Sequence, residues 1–519
     1  MAQINVTNLT FCYEGSFDNI FENVSFSIDS NWNLGFIGRN GKGKTTFLNL
    51  LLGKYEYRGS ITTSVIFDYF PYLVRQEQLG ECAVELMEDW KPGCEHWRVI
   101  CELDALGLDA EVLYRPFGTL SHGERTKVML AVLFSGENDF LLIDEPTNHL
   151  DRQSREQVKE YLGTKKGFIL VSHDRDLLDA CIDHVLVLNR STIEVQSGNF
   201  SSWWENKARK DAFSQAENEK HKKEIRKLHE SAARARDWAA KNESTKIGYD
   251  PVKEHDRSKN TRAYIGAKTK KMQSRVQQLE QRIDREIEEK EGLLQDIESP
   301  VDLKIIPLKH HKEVLVRTEN FGIGYGCGEN VKKVFQGLNF ELRQGERVFL
   351  HGANGCGKSS LIKAFLRLHA EKSGMTGEGT EYTQSNMIES GTMALVSGLV
   401  ISYINQDTSF LKGNLKNFCR EKGLEESLFF AILRQLDFER VQFEKNMEDF
   451  SEGQKKKVLI AASMLVPAHL YIWDEPLNYI DVFSRMQIEK LLLAYKPTML
   501  IVDHDVRFRE QIATRVVEL

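Results

Sequence analysis

One block of sequence occurs twice in this chain, and that fact limits the fold more than any other. Gly38-Arg39-Asn40-Gly41-Lys42-Gly43-Lys44-Thr45 returns as Gly352-Ala353-Asn354-Gly355-Cys356-Gly357-Lys358-Ser359. Leu120-Ser121-His122-Gly123-Glu124 returns as Phe450-Ser451-Glu452-Gly453-Gln454, and Asp144-Glu145-Pro146 as Asp474-Glu475-Pro476. His173, after an apolar run, returns as His504 after another. Order and spacing are kept, so the chain holds two homologous domains, and a single core cannot be assumed. The spacing grows only between the first and second blocks, which predicts an insertion in the second half. Its Gly/Thr/Ser-rich stretch 373–398 reads as a surface loop or hairpin. The units are assigned to residues 1–200 and 301–519.

Residues 201–300 are of another kind. They are dense in Lys, Arg, Glu, Gln and Ala, with apolar residues at Ile225, Leu228, Ala232, Ala235 and Ala239, then at Met272, Val276, Leu279, Ile283, Ile287 and Leu294. Three-and-four spacing is a narrow helical stripe and predicts two long helices paired as an antiparallel hairpin, with its tip at about 242–262 around Gly248 and Pro251. Helices of such length extend on the order of 55 Å, so the hairpin is expected to reach well beyond a globular unit.

The repeated blocks carry phosphate chemistry. GxxxxGK[ST] between a strand and a helix turns backbone N–H groups toward phosphate oxygens. Its Lys reaches the outer phosphates, and its Thr or Ser ligates magnesium. Gly38, Asn40, Gly41, Gly43, Lys44, Thr45 and Thr46 form the first cradle, and Gly352, Asn354, Gly355, Gly357, Lys358, Ser359 and Ser360 the second. Each apolar run ending in Asp-Glu puts Asp144 or Asp474 at a strand end to hold magnesium. Glu145 or Glu475 follows, where it can activate a water. His173 and His504 follow a further strand and can contact a γ-phosphate. An isolated pair of this kind is often only a strand-end cap; two in equivalent contexts point to ATP and Mg2+.

Composition narrows the setting. No apolar run approaches the ~18 residues of a membrane span, so a cytoplasmic protein without membrane contact is expected. Eight cysteines without any CxxC imply neither a zinc site nor a disulfide framework. The net charge of −7 argues against nucleic acid only if spread evenly. It is not: Lys220 to Lys271 alone sums to +9, leaving −16 elsewhere. A basic segment on an acidic body is drawn to RNA phosphates. The candidate contacts are Arg234, Arg236, Lys241, Lys246, Arg257, Lys259, Arg262, Lys268, Lys270 and Lys271. Tyr249 and Tyr264 are placed either to stack on bases or to pack within the hairpin.

The order GxxxxGK[ST], LSxGE or FSxGQ, DEPTNHLD (Asp144 to Asp151) or DEPLNYID (Asp474 to Asp481), then SHD or DHD, resembles the ATP-binding-cassette ATPases over some 400 residues. Two such P-loop ATPase domains of α/β fold, joined by a charged helical hairpin, resemble the ABC-F class. The resemblance implies that the cassettes close head to tail within a monomer on two ATPs. It places Ser451 and Gly453 against the first cradle and Ser121 and Gly123 against the second. It makes Gln406 a magnesium ligand of the second site and Tyr13 and Tyr325 adenine-stacking residues. The first cassette departs from the pattern: Tyr72 stands where the glutamine belongs, with Gln76 as a candidate substitute, and a slower first site is expected.

The short interval from Lys44 to Ser121 leaves no room for an extra helical arm, which is similar to the Lsa/Vga antibiotic-resistance group. That resemblance implies ribosome protection. The protein would enter the exit site of the 70S ribosome and contact 23S rRNA and peptidyl-site tRNA. It would dislodge lincosamides, streptogramin A or pleuromutilins from the peptidyl-transferase centre, and leave on ATP hydrolysis. The alternatives are a housekeeping ABC-F translation factor and, in a different class, the ATP-binding subunit of a transporter.

Overall fold

The structure, a computed structural model, describes residues 2–13, 19–137, 139–148, 150–189, 192–244, 304–327, 330–353, 355–372, 387–438 and 440–519, with residues 274, 277, 278, 282, 283 and 285 besides. The chain divides into two compact units, residues 1–203 with 300–519, and residues 204–299.

In the first repeat the strands β1 (Gln3–Phe11), β2 (Phe21–Asp29), β3 (Asn33–Ile37), β4 (Arg58–Thr62), β5 (Ile66–Phe70), β6 (Asp139–Asp144), β7 (Phe168–Val171), β8 (His184–Leu188) and β9 (Ile193–Ser197) form two sheets. The antiparallel sheet runs β2-β1-β4. Along β1, Ile4, Val6, Leu9 and Phe11 are buried while neighbours face out, the alternation of a sheet covered on one side. The larger sheet runs β5-β6-β7-β3-β8-β9, parallel except for β9. Its central strands β3 and β7 are buried throughout, and β7 accordingly reads as an unbroken apolar run. Helices cover it: α1 (Lys44–Leu51), α2 (Ala83–Trp90), α3 (His96–Ala105), α4 (His122–Phe134), α5 (Arg152–Gly163) and α6 (Arg175–Cys181).

The second repeat builds the same plan from β10 (Val314–Cys327), β11 (Asn330–Arg343), β12 (Arg347–His351), β13 (Met387–Leu395), β14 (Ile401–Ile404), β15 (Leu470–Asp474), β16 (Met499–Val502) and β17 (Arg515–Glu518). The sheets run β11-β10-β13 and β14-β15-β16-β12-β17. Between the repeats lies α7 (Phe200–Ser244), and the second repeat carries α8 (Lys358–Lys372), α9 (Leu415–Lys422), α10 (Glu426–Gln435), α11 (Glu452–Leu465), α12 (Val482–Tyr495) and α13 (Val506–Ile512). Within the stretch 373–398, read as a surface loop or hairpin, Met387–Leu395 form strand β13, paired with β10. Its Gly391 adopts φ +77 at a bulge where a Cβ would lie 2.2 Å from the Asn320 carbonyl oxygen. A strand broken by that glycine lacks the clean alternation that marks β1. Residues 373–386 lie outside the described residues.

In the unit 204–299, α7 continues to Ser244. Ile283 is buried against Ile225 and Leu228, and the described positions around it are helical, so the stripe does pair two helices there. Met272, Val276, Leu279, Ile287, Leu294 and the chain beyond Ser244 toward the expected tip lie outside the described residues.

Candidate active sites

Each phosphate cradle arises where a buried parallel strand ends in glycines and a helix begins. Gly43, at φ +106, is the N-cap of α1, and a Cβ there would meet Ile20 Cγ2 at 2.5 Å, so both conformation and space demand glycine. The loop folds around its lysine: Lys44 Nζ donates to the carbonyls of Gly38 at 2.7 Å and Arg39 at 3.2 Å and to Asn40 Oδ1 at 3.2 Å. Lys358 Nζ does the same with Gly352 at 2.8 Å and Ala353 at 2.9 Å. Burial lowers the Lys44 pKa against the opposing pull of Asp481, Glu145 and Asp144. A glycine-rich loop with its backbone N–H groups, a helix N-terminus and a buried ammonium together favour a polyphosphate.

β6 and β15 deliver the acidic pairs. Glu145 and Glu475 both sit in the left-handed region, at φ 52 and φ 48. Their N–H groups donate to Val171 and Val502, each at 2.8 Å. Left-handed backbone at a bulky residue costs about 1–3 kcal/mol, and here it turns each glutamate out of line with its strand. Thr45 Oγ1 donates to Asp144 Oδ2 at 3.1 Å. His173 Nε2 lies 3.3 Å from Glu145 Oε1, and His504 Nε2 lies 3.7 Å from Glu475 Oε1. Burial, with Lys44 and Arg485 nearby, holds His173 well below the usual imidazole pKa, so it is neutral.

The first site is completed by the second repeat. A cavity of roughly 370 Å³ is lined by Asn40, Gly41, Lys44, Thr45, Asp144, Glu145 and His173 on one side and Ser451, Gly453, Lys457 and Tyr479 on the other. Asn40 Nδ2 donates to the Tyr479 carbonyl at 2.7 Å, and Arg39 pairs with Asp437 at 2.7 Å. Gly453 has no room for a side chain: a Cβ would lie 2.5 Å from the Tyr479 oxygen and 3.3 Å from Asn40 Nδ2. Ser451 and Ser121 begin α11 and α4 with reciprocal caps to Gln454 and Glu124. At the second site, Arg152 Nη1 approaches His351 Nε2 at 3.4 Å across the repeats. Asn354 lies outside the described residues, and Ser121 and Gly123 have no described contact to the second cradle.

The two sites differ around their glutamates. Gln406 Nε2 and Asn478 Nδ2 each donate to Glu475 Oε2 at 2.7 Å. Although burial opposes it, His504, Lys456 and Gln406 hold the Glu475 pKa below the usual range. Glu145 Oε1 is buried with no hydrogen-bond partner, and burial beside Asp144 pushes its pKa up to about 8. Strand pairing puts Tyr72 in the place of Gln406, since Tyr69 opposes Leu142 as Tyr403 opposes Ile472. Its hydroxyl, however, donates to Asp68 at 2.7 Å and its ring stacks on Trp90 at 5.3 Å. Tyr69 instead donates to Asp144 Oδ2 at 3.2 Å. Gln76 is exposed at the start of a 3-10 turn and lines neither cavity beside Asp144, so it does not replace the missing glutamine. In the second site the desolvated Asp474 rises to about 6, and its Oδ1 is buried without a partner.

Tyr13 and Tyr325 occupy matching places, their hydroxyls bonded to Thr46 Oγ1 at 2.8 Å and Ser360 Oγ at 2.9 Å. Tyr13 is 41% exposed, leaving part of its ring open. Tyr69, Tyr479, Asp437 and Asp481 escaped the sequence reading. Aligning the two repeats at the strand ends would have exposed Tyr69; the others depend on how the repeats meet. Of the candidate RNA contacts, Arg234 is exposed and its Nε donates to the Glu230 carbonyl at 3.2 Å. Arg236 and Lys241 lie on α7. Lys246, Tyr249, Arg257, Lys259, Arg262, Tyr264, Lys268, Lys270 and Lys271 lie outside the described residues.

The ABC transporter family matches residues 21–148 and 335–478, more than half of the chain. The chain belongs to the ABC transporter family. Its two ABC cassettes bind ATP, and the protein is an ATPase. Among the described residues no helix is long and apolar enough to cross a membrane. The chain is 27% identical to the ribosome protection protein VmlR of Bacillus subtilis, over 98% of this chain and 85% of that one. It is 26% identical to the ATP-binding protein Uup of Buchnera aphidicola, over 99% and 80%. Among solved structures, the archaeal ribosome recycling factor aABCE1, in complex with the ribosomal stalk protein aP1, superposes with a TM-score of 0.57 at 18% identity, covering 98% of this chain and 87% of that one. That likeness shows a shared arrangement of tandem ABC cassettes.

Proposed function

We propose that this ABC ATPase is a ribosome-protection factor of the ABC-F class, related to the Lsa/Vga group. In this reading it enters the exit site of the 70S ribosome with ATP bound and dislodges lincosamides, streptogramin A or pleuromutilins from the peptidyl-transferase centre. The observation that carries it is the pairing of two cassettes with a basic two-helix segment, in a chain 98% of which aligns with 85% of VmlR. The basic helices supply the affinity for 23S rRNA and peptidyl-site tRNA.

Chemically, Lys44 and Lys358 hold the outer phosphates, with Ser451 and Gly453 closing the first site from the opposite cassette. The residues fit a magnesium ion: a hydroxyl beside a carboxylate in each cassette, and a buried unpartnered oxygen on Asp474. Thr45 and Asp144 would hold it in the first site, and Ser359, Asp474 and Gln406 in the second. When bound, magnesium neutralises charge on the phosphates. Glu475, kept ionised, accepts the proton of the attacking water, and His504 stands beside it. Glu145 and His173 stand in the same places in the first site, where Glu145 must first give up the proton that burial beside Asp144 holds on it.

The test is Glu145→Gln combined with Glu475→Gln. The double variant is expected to bind ATP, remain closed and sediment with 70S particles; if it sediments free of ribosomes in the presence of ATP, the reading fails. The second reading is a housekeeping translation factor of the same class. Expression in a drug-sensitive bacterium separates the two, because protection raises tolerance to pleuromutilins or lincosamides and a housekeeping factor leaves it unchanged.

A further inference from the structure

The second cassette contains a buried cation that the first lacks. Lys456, just over one turn into α11, is 3% exposed, and its Nζ donates to the Asn405 carbonyl at 3.1 Å. Asn405 immediately precedes Gln406, whose amide reaches Glu475 at 2.7 Å. The ammonium also lies in the field of Glu475, Asp474, Asp503 and Glu452. Asp503 is itself 7% exposed, with Oδ2 unpartnered, and stands where the first cassette has Ser172. A buried lysine is costly unless carboxylates and hydrogen bonds compensate it, and here both are supplied at one side of the catalytic glutamate.

Counting from the signature serines, the residue matching Lys456 in the first cassette is Thr126. It borders a cavity of roughly 590 Å³ shared with Tyr69, Tyr72, Asp144 and Glu145. Among the described residues no ammonium is bonded to the Pro71 carbonyl, the counterpart of Asn405; Lys91 pairs instead with Asp68, and Tyr72 is turned onto Asp68 and Trp90.

We propose that Lys456 is a positioning residue of the second ATP site, which anchors the Asn405 carbonyl so that Gln406 stays on Glu475, and that Thr126 in its place leaves the first site the slower one. The inference rests on the assignment of Glu145 and Glu475 as the catalytic glutamates. It goes further, by naming the residue that makes the sites unequal.

The experiment measures steady-state ATP turnover of the full chain, with Glu145→Gln to isolate the second site and Glu475→Gln to isolate the first. Lys456→Thr and Lys456→Met are made on each background; the Met variant keeps the buried stem and removes only the charge and its donor. On the Glu145→Gln background both are expected to lower kcat roughly 10- to 100-fold, the effect of a small misplacement at a reacting centre, while KM stays within about twofold. On the Glu475→Gln background kcat is expected to be unchanged. Unchanged kcat on the first background overturns the proposal. So does an equal fall on both backgrounds with weakened ATP binding, since that marks a folding or interface role. If the double Glu→Gln protein still turns over ATP, the assignment of the glutamates fails instead.

Discussion

Arg175 forks onto both carboxylate oxygens of Glu489 across the contact of the two cassettes, and both side chains are more than nine-tenths buried. Burial raises the Glu489 pKa even with Arg175 in place, so desolvation takes back much of what the pairing contributes. Nearby, Arg507 joins the same surfaces through Asp176, Asp179 and Ser201.

Arg175→Met or Glu489→Leu alone strands one buried charge and is expected to cost about 3–5 kcal/mol in urea unfolding. The double substitution, which removes both charges, is expected to return to within about 1 kcal/mol of the parent. A double variant as unstable as the singles would show that the pair contributes far more than its desolvation costs.

Glu145 supplies a pH test. Its folded pKa of about 8 lies above the ordinary 4.5, so the folded state holds a proton that the unfolded chain releases. The resulting stability is fully present below about 4.5 and is lost as pH rises toward 8. Glu145→Gln carries no such penalty. In the nucleotide-free protein its melting temperature is expected to match the parent near pH 4.5 and to exceed it by a growing margin up to pH 8. Glu475→Gln, at a site where ionisation is favoured, is expected to show no such gain.

Tyr72→Gln restores the missing residue type but removes the stack on Trp90 and the bond to Asp68. A loss of about 1–2 kcal/mol in stability is expected. With Thr126 rather than a lysine at the matching position of α4, turnover on the Glu475→Gln background is expected to stay at its starting level. A rise would mean that the side chain alone limits the first site.

Seating of the basic helices on RNA, as proposed, makes ribosome binding salt-dependent. Each of Lys241, Arg257 and Lys268 changed to Gln is expected to reduce the slope of log affinity against log salt by about 1, if that residue contacts phosphate. Sedimentation across a salt series reads this directly, and a slope indifferent to all three substitutions would remove the hairpin from the RNA contact.

The duplication, the two cradles, the acidic pairs and the helical stripe were all legible along the chain, because each is set by neighbours: glycine where φ is positive, unbroken apolar runs where strands are buried on both faces, three-and-four spacing where helices pair. Strand β13 was not legible, since a bulge at Gly391 breaks the alternation that announces a strand. The difference between the two sites was legible only in part, as Tyr72 in the glutamine's place. Tyr72 stood in the right place by spacing, yet its direction was decided by Asp68 and Trp90, which the fold brings beside it. Lys456 read as one lysine in a run of three until α11 buried it against Asn405 and the carboxylates of the second site. Sequence by itself determined which chemical groups each cassette owns. Tertiary structure decided which of them meet, because burial and long-range contacts set where a side chain points and whether its charge survives.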